Sequence, residues 1–400
     1  MKRSSLMSES ALPTHVQVGI VGAGPAGLLL GLLLAEAGVS CAIFERQTRA
    51  HVEGRIRAGV LEPGTVDVLT RAGVATRLAR ESLRHEGVEI AFGEQRLRLA
   101  FDELTGHCVT VYGQTELTRD LIATHLTRQS ALYFEATVEA LHDLNGEQPQ
   151  IECLWQGRRQ RVRCDFIAGC DGFHGVARAS IPAHARREYS TRYPAGWLGL
   201  LSDTPPVARE LIYARHDRGF ALCSMRSPTR SRYYLEVAED EALADWPEAR
   251  FWEELGRRLP AEVAQALVTG PALEMSIAPL RSVVSEPLRH GRLLLAGDAA
   301  HIVPPTGAKG LNLALRDVSR LAAALLAFFH RNDEAPLRDY SAAALAEVWQ
   351  AVRFSWWFTH LTHRLAGDDF AARLQQAEFA HLCASRAAQQ ALAEQYVGLR

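Results

Sequence analysis

The first fifty residues alternate short apolar segments with glycines in a pattern that predicts a β-α-β unit. Residues 16–21 are rich in β-branched side chains, residues 28–37 are apolar with small side chains, and residues 41–45 return to strand character. A strand, a helix and a second strand in this order place the two strands parallel in one sheet. Residues 1–14 are polar and are predicted to be a disordered extension, so folding is expected to start near His15.

Later segments extend this pattern. Short apolar runs at residues 166–168 and 292–296 both end in Gly/Asp-rich turns, and parallel strands of this kind end at a common edge where they can share a ligand. Residues 197–237 are rich in aromatic and β-branched side chains, which predicts an antiparallel sheet. From about Leu311 onward Ala, Leu, Arg and Glu predominate, which predicts helices.

The predicted architecture is therefore a mixed α/β fold, α/β with α+β parts, in which a Rossmann-like domain is joined to an antiparallel sheet and C-terminal helices. A chain of 400 residues is long enough for two or three lobes. We expect a discontinuous nucleotide-binding domain over 15–180 and 275–325, a substrate-binding sheet domain over 181–274, and a helical region over 326–400.

Composition narrows the class of ligand. The net charge of -2 argues against a nucleic-acid partner or an anionic membrane surface, which leaves small molecules. The seven cysteines are scattered without a Cys-x-x-Cys pair, so we expect reduced thiols, a cytoplasmic location and no metal site. No apolar run approaches the roughly 20 residues that a membrane span needs.

A dinucleotide fingerprint follows the first predicted strand. Gly22, Gly24 and Gly27 form G-x-G-x-x-G, and Glu45 ends the next strand. The glycines allow the backbone to approach a pyrophosphate at a helix N-terminus, and the carboxylate accepts from a ribose hydroxyl. A chance Gly-rich turn is the alternative, and the strand before it and the acid after it argue against that alternative.

Two further stretches favour FAD over a nicotinamide dinucleotide as the resident cofactor. They are residues 170–172 (Cys-Asp-Gly) and residues 294–312, which include Gly297–Asp298 and the run from Pro304 to Asn312. A carboxylate after a strand can hold a polyol hydroxyl, and a glycine-rich helix start suits an anionic flavin.

These three elements, in this order, resemble the FAD-dependent aromatic hydroxylases, and the resemblance extends from Val16 to Leu399. The stretches 54–62 (GRIRAGVLE) and 220–224 (FALCS) are most similar to family members that act on 4-hydroxybenzoate. The resemblance implies non-covalent FAD in contact with Arg57, Gln114 and Leu311, with Asp298 on its ribityl chain and Asn312 beside the isoalloxazine. For Gln114 an ordinary turn residue is the alternative.

The resemblance also implies a substrate site and a proton relay. The Arg226 guanidinium, with hydroxyl groups around it, suits a benzoate carboxylate in an apolar pocket. A phenol proton would pass from Tyr213 to Tyr396 and then through His85 to solvent, because histidine titrates near neutrality. Arg232 resembles a residue that governs flavin motion. The implied substrate-binding residues are Tyr213, Ser224, Arg226, Tyr234 and Pro305, and the implied catalytic residues are Tyr213, Tyr396, His85 and Pro305.

The reducing cofactor has a weaker signature, since no second G-x-G-x-x-G is present. Arg46 and Arg55 favour NADPH because they can attract a 2′-phosphate. NADH stays possible because His51 stands where the family pattern has a Tyr. The residues that the resemblance implies for NAD(P)H are Arg46, Gln47, Arg55, His174, Arg178 and Arg281.

The implied reaction converts 4-hydroxybenzoate, O2 and NAD(P)H to 3,4-dihydroxybenzoate through a flavin hydroperoxide, as in aromatic catabolism. The family also implies a homodimer formed largely through C-terminal helices. Two alternatives stay open at this point: a hydroxylase of another phenolic acid such as 3-hydroxybenzoate, and a non-catalytic flavin-binding protein.

Overall fold

The computed structural model describes residues 11–55, 59–365 and 369–399. Within these ranges the strands are β1 (His15–Val21), β2 (Cys41–Phe44), β3 (Val60–Leu61), β4 (Leu83–His85), β5 (Gly87–Phe92), β6 (Gln95–Ala100), β7 (Val109–Val111), β8 (Ala131–Tyr133), β9 (Thr137–His142), β10 (Gln150–Trp155), β11 (Arg158–Gly169), β12 (Arg187–Ser202), β13 (Leu211–His216), β14 (Gly219–Ser227), β15 (Arg230–Ala238), β16 (Ala272–Glu286), β17 (Arg289–His290), β18 (Leu293–Leu295) and β19 (His301–Ile302). The α-helices are α1 (Pro25–Glu36), α2 (Arg49–Gly54), α3 (Pro63–Arg71), α4 (Thr76–Glu81), α5 (Phe101–Thr105), α6 (Gln114–Thr127), α7 (Val176–Ala179), α8 (Glu248–Arg258), α9 (Ala261–Gln265), α10 (Lys309–Arg331), α11 (Ala335–Thr362), α12 (Asp369–Ala384) and α13 (Arg386–Tyr396).

The first sheet has the strand order β17-β18-β11-β1-β2-β8, with β9 and β10 attached to β11. β1 pairs in parallel with β2 and β11, and β11 pairs in parallel with β18. The strands predicted near residues 16, 166 and 292 therefore lie side by side, and their carboxyl ends share one edge. α1 and α10 pack against each other over this sheet. The predicted mixed α/β fold class is confirmed.

The second sheet has the order β19-β16-β12-β15-β14-β13-β5-β6. Its neighbours are antiparallel except β13 and β5, which run parallel. Residues 197–237 form its centre, as expected. The sheet is wider than the predicted domain over 181–274, because β5, β6, β16 and β19 join it from other parts of the chain. Such long-range pairing leaves no signal in local periodicity. A third, small sheet has the order β3-β7-β4.

Side chains of the second sheet alternate between two cores, as strand geometry requires. Ile212, Cys223 and Leu235 are buried together with Phe251 of α8 on one face. Tyr213, Phe220 and Leu222 are buried on the opposite face together with aromatic residues of α11 and α13. We call this opposite face the inner face.

The ends of the chain differ from expectation in one respect. Most of the predicted extension, residues 1–10, lies outside the described residues, but Leu12 is only 7% exposed and belongs to the core of the first sheet. Leu12, which lies within the predicted extension, therefore packs with the folded domain. The helices after residue 309 are present as predicted. Among the described residues, no helix has the length and apolar character that a membrane crossing requires.

Candidate active site

A cavity of about 620 Å³ opens at the carboxyl ends of β1, β2, β11 and β18, and we call it the nucleotide cleft. The strand ends and the start of α10 supply its walls. The predicted cofactor residues on its lining are Gly22, Gly24, Glu45, Gln114, Asp298 and Leu311. Arg57 lies outside the described residues.

Glycine occupies the three fingerprint positions for different structural reasons. Gly22 has φ +101°, and a Cβ there would stand 2.5 Å from the Cys170 carbonyl oxygen. A Cβ on Gly27 would stand 2.0 Å from the Gly22 carbonyl oxygen. The backbone is therefore packed too closely at both positions to admit a side chain. A Cβ on Gly24 would meet nothing within 4 Å. Gly24 precedes α1 and lines the cleft, which leaves the helix N-terminus open to a phosphate.

Glu45 holds the glycine turn in place. Its Oε2 accepts from the Ala23 backbone N–H at 2.8 Å, and its Oε1 accepts from the Gln47 backbone N–H at 2.8 Å. Each carboxylate oxygen retains a second lone pair, so Glu45 can also accept from a ribose hydroxyl.

Asp298 is exposed on the turn after β18, and a buried pair behind it fixes that turn. Asp317 Oδ2 accepts from the Gly297 backbone N–H at 2.9 Å and contacts His301 Nε2 at 2.6 Å. Burial alone lowers the pKa of His301, but the Asp317 carboxylate raises it above its ordinary value. Sequence reasoning missed this pair, because an acid within an amphipathic helix gives no signal of its burial.

All the hydrogen-bonding capacity of the Asn312 side chain is taken up by partners within the protein. Its Oδ1 accepts from Glu62 N at 2.9 Å and from Thr65 Oγ1 at 2.8 Å, and its Nδ2 donates to the carbonyls of Val60 and Ala308, both at 2.9 Å. Four bonds are all that an amide side chain makes. A flavin contact at Asn312, as the resemblance implies, would therefore use the backbone rather than the side chain.

The predicted substrate residues gather on the inner face. Tyr213 and Tyr234 both pair with Leu222 of the strand between them, and Ser224 pairs with Arg232. Residues directly opposite one another point to the same side of a sheet. Arg226 lies two positions beyond Ser224, where the register shifts between β14 and β15.

A glycine makes room for two of these side chains. A Cβ on Gly199 of β12 would stand 2.6 Å from Arg232 Nη2 and 3.0 Å from Tyr234 Cε1. Both side chains therefore lie across β12, where a larger residue would collide with them.

Arg226 and Arg232 differ in their partners. Arg232 donates to Glu274 at 2.6 Å and to Ser276 Oγ at 3.3 Å. Arg226 hydrogen-bonds Tyr234. No ion pair within 4.0 Å joins it to a carboxylate in the described ranges, and the Glu274 carboxylate, which pairs with Arg232, acts on it from a greater distance. Burial lowers the pKa of Arg226. A part-buried guanidinium of this kind favours an anionic ligand.

Two tyrosines meet at the other end of the inner face. The hydroxyl oxygens of Tyr213 and Tyr396 are 2.7 Å apart, and the Gly307 backbone also hydrogen-bonds the Tyr213 hydroxyl. Burial raises the pKa of Tyr213 to about 12 and raises that of Tyr396 well above its ordinary value. Both groups are therefore neutral hydroxyls at physiological pH.

The predicted third member of the relay, His85, is not joined to the tyrosines by a direct hydrogen bond. Its side chain is 2% exposed, and neither ring nitrogen has a partner among the described residues. Burial lowers its pKa. β4 buries this ring, so a further group would have to connect it to solvent, and the role of His85 in the relay stays a prediction.

Lys309 holds the segment around Tyr396 in place through hydrogen bonds. The sequence analysis did not predict this role. Lys309 Nζ donates to Glu62 Oε1 at 2.6 Å and to the Tyr396 carbonyl at 2.9 Å. Burial lowers the pKa of Lys309. Its position between Gly307 and Gly310 was visible in the sequence, but the distant partners were not.

The residues proposed for the nicotinamide cofactor form two groups. Arg46, Gln47, Arg55 and His174 line the nucleotide cleft. Arg178 and Arg281 instead stack on the Phe173 ring, at 4.2 Å and 4.1 Å from its centroid. The His174 ring lies 5.0 Å from the same ring, so the two groups meet at residues 173–174.

The nucleotide cleft and the inner face meet at one turn. Pro305 and Ala308 line the cleft, while Gly307 between them bonds Tyr213. The arrangement is that of a dinucleotide site open to an aromatic pocket. The family model described as FAD binding domain matches residues 15–355, so the chain belongs to this family of FAD-binding proteins.

Individual relatives narrow this class. The chain is 50% identical over 96% of its length to p-hydroxybenzoate hydroxylase of Acinetobacter baylyi, of which 95% is covered. It is 30% identical over 84% of its length to 3-amino-4-hydroxybenzoate 2-monooxygenase of Streptomyces cremeus, with 86% of that protein covered. The p-nitrophenol 4-monooxygenase PnpA of Pseudomonas putida DLL-E4 shares the fold, with a TM-score of 0.81, 18% identity and coverage of 96% and 99% of the two chains. The chain is an enzyme of the FAD-dependent aromatic hydroxylases, and the predicted FAD cofactor is confirmed.

Proposed function

We propose that this protein hydroxylates 4-hydroxybenzoate to 3,4-dihydroxybenzoate with O2 and NADPH. One observation carries the proposal: Arg226, without an acidic partner among the described residues, and the Tyr213–Tyr396 pair lie on the same face of one sheet, beside the nucleotide cleft. A para-hydroxylated benzoate has a carboxylate and a phenol at opposite ends of its ring. The relative named p-hydroxybenzoate hydroxylase supports this assignment.

The carboxylate end is bound by charge and hydroxyl groups. Arg226 supplies the cation, and Ser224 and Tyr234 supply hydroxyls from β14 and β15. Because Arg232 is already paired with Glu274, the pocket keeps one unpaired cation among the described residues, which matches a single carboxylate. The rest of the inner face is apolar and packs against the ring.

FAD, when bound, accepts electrons from the reduced nicotinamide and activates O2. The residues that would hold it fit the group: Gly24 leaves the start of α1 open, Glu45 accepts from the ribose, and Asp298 accepts from the ribityl chain. Leu311 would contribute its backbone at the start of α10. Pro305 would lie between flavin and substrate, because its turn borders both.

Tyr213 prepares the ring for oxygen transfer. Its hydroxyl oxygen accepts the phenol proton of the substrate while its own hydrogen passes to Tyr396. The Tyr213 hydroxyl then donates to the phenolate oxygen and stabilises it, and the phenolate makes the carbon beside it nucleophilic. Tyr396 takes over the proton across the 2.7 Å contact. Since both tyrosines have raised pKa values, the pair moves a proton by exchanging hydroxyl hydrogens and does not store a charge. Phe354 and Phe358 of α11 cover the pair and exclude water.

The alternative substrate 3-hydroxybenzoate fits less well. With its carboxylate on Arg226, its hydroxyl would point to the side of the ring and not along the axis toward Tyr213. A non-catalytic flavin protein would have no need of a buried tyrosine pair. These residues therefore favour 4-hydroxybenzoate turnover.

NADPH is the proposed reductant because Arg46 and Arg55 are exposed beside the cleft, where each can meet a 2′-phosphate. Glu53 is neutralised by Arg49 at 2.6 Å and so repels that phosphate less. Arg232 is proposed to take part in flavin motion, since its guanidinium lies 5.1 Å above the Tyr234 ring in the substrate pocket.

A homodimer formed through the C-terminal helices is also proposed. Trp349 and Trp356 of α11 are 38% and 48% exposed, and Phe370 and Leu374 of α12 are 73% and 57% exposed. Apolar residues of this size on neighbouring helices are typical of an interface between subunits. Sedimentation at micromolar concentration is expected to give twice the 44.1 kDa chain mass, and a monomer under these conditions would contradict the proposal.

Tyr213→Phe is the most direct test of the proposed chemistry. The variant should still bind substrate and oxidise NADPH, but the ring stays a neutral phenol, so oxygen transfer should lose to release of hydrogen peroxide. The measurement is the ratio of 3,4-dihydroxybenzoate formed to NADPH consumed. Tyr193→Phe is the matched control, because it removes a buried hydroxyl that contacts Ser282 and not the relay. Equal coupling in both variants would remove Tyr213 from the chemistry.

Arg226→Ala should weaken substrate binding while leaving FAD content normal. Losing the partner of a buried carboxylate costs roughly 2–5 kcal/mol. At about 1.4 kcal/mol per tenfold, the dissociation constant rises about thirtyfold or more. The control is Arg230→Ala on the same hairpin, where the arginine is exposed and paired with Asp203. If titration gives the same dissociation constant for both variants, the carboxylate binds elsewhere.

Cofactor preference is tested by kcat/KM for NADPH and NADH at fixed 4-hydroxybenzoate. We expect NADPH to be preferred, and Arg46→Ala to reduce that preference without changing the value for NADH. A parent enzyme that prefers NADH would show that His51 and its neighbours outweigh the two arginines.

A further inference from the structure

We propose that the ion pair of Glu210 and Arg98 forms the solvent-side end of the proton path that leads from Tyr213 and Tyr396 through His85. The inference rests on the proposed function, since the proton in question is that of the substrate phenol. Glu210 touches neither substrate nor cofactor. It is a positioning residue that acts through His85.

The pairing of β13 with β5 brings Glu210 close to His85, which ends the strand just before β5. His85 ends β4, and Gly87 begins β5. Glu210 comes directly before β13, which pairs in parallel with β5 from Leu211 and Val88 onward. A Cβ on Gly87 would stand 3.2 Å from both Glu210 Oε2 and Arg98 Nη2. The missing side chain lets the carboxylate lie against the backbone two residues from His85.

The pair reaches from this buried position to solvent. Arg98 donates from Nε to Glu210 Oε2 and from Nη2 to Oε1, both at 2.8 Å, which is a bidentate contact. The Arg98 side chain is 47% exposed and that of Glu210 is 22% exposed, whereas His85 is 2% exposed. The pair therefore extends from the backbone near His85 to water.

The charge of Glu210 affects how readily His85 takes up a proton. Burial lowers the pKa of His85, and the Glu210 carboxylate opposes that effect. A neutral His85 can therefore accept the relay proton more readily than burial alone would allow, and the proton then leaves to water beside the carboxylate. Chain neighbours Arg84 and Glu86 pair with each other at 3.5 Å. The strand opposite contributes the apolar Val109.

The remaining charges near this end belong to α5. Asp102 and Glu103 act on Arg98, and they add to the negative potential around the guanidinium. Glu210 is the charge that acts on His85, so its effect can be separated from theirs by changing Glu210 alone.

Glu210→Gln in the full-length FAD-loaded enzyme tests the inference. The matched control is Glu89→Gln, because Glu89 forms a bidentate pair with Arg96 at 2.7 Å and 2.8 Å in the same sheet. The His85 ring is titrated by nitrogen-15 NMR, with His85→Gln for assignment. The pKa of His85 should fall in Glu210→Gln, stay at the parent value in Glu89→Gln, and be restored in Glu210→Asp. An unchanged His85 pKa in Glu210→Gln overturns the inference.

The functional readout is the pH profile of coupled hydroxylation. His85 takes up the relay proton only when it is neutral, so the acid limb of the profile follows its pKa and should move to lower pH in Glu210→Gln only. A His85 pKa that moves without the acid limb also overturns the path. If the parent forms no 3,4-dihydroxybenzoate, the proposed function fails instead, while the NMR titration still reports whether Glu210 acts on His85.

Discussion

The buried ion pair of Lys309 and Glu62 joins the three parts of the chain from which the site is assembled. Lys309 begins α10, Glu62 follows β3, and the lysine also donates to the backbone carbonyls of Gln395 at 2.5 Å and Tyr396 at 2.9 Å. Burying an ammonium group is unfavourable unless all of its donors are used, and here three partners use three donors. Lys309 therefore helps to position Tyr396, together with Arg316, which donates to Glu62 and to the Gly398 carbonyl.

The turn before Lys309 links the position of this lysine to the nucleotide cleft. Gly307 has φ +80°, and a Cβ there would stand 2.5 Å from Phe354 Cε1, so a glycine is required. Thr306 Oγ1 contacts Thr359 Oγ1 of α11 at 2.9 Å. One short turn thus borders the cleft, bonds Tyr213 and is tied to the helix that covers the tyrosine pair. The sites proposed for flavin and substrate share this turn.

Local patterns were sufficient for the first sheet but not for the second. The β1-α1-β2 unit and Glu45 follow from periodicity and the glycine fingerprint, because neighbouring residues form them. The substrate residues of the inner face could be predicted only from the family resemblance, because a lone arginine such as Arg226 has no distinguishing sequence pattern. The burial of His85, Leu12 and the His301–Asp317 pair depends on which distant segments pack over them. No local signal reports such contacts, and the addition of β5 and β6 to the second sheet is of the same kind.

A benzoate carboxylate on Arg226 and a phenol on Tyr213 would together fix which ring carbon faces the cleft. Product analysis tests it most directly. The purified FAD-loaded protein is incubated with 4-hydroxybenzoate, O2 and NADPH, and the products are separated and quantified. We predict 3,4-dihydroxybenzoate in an amount equal to the NADPH consumed. Hydroxylation beside the carboxylate, or NADPH oxidation with hydrogen peroxide as the sole product, would contradict the claim.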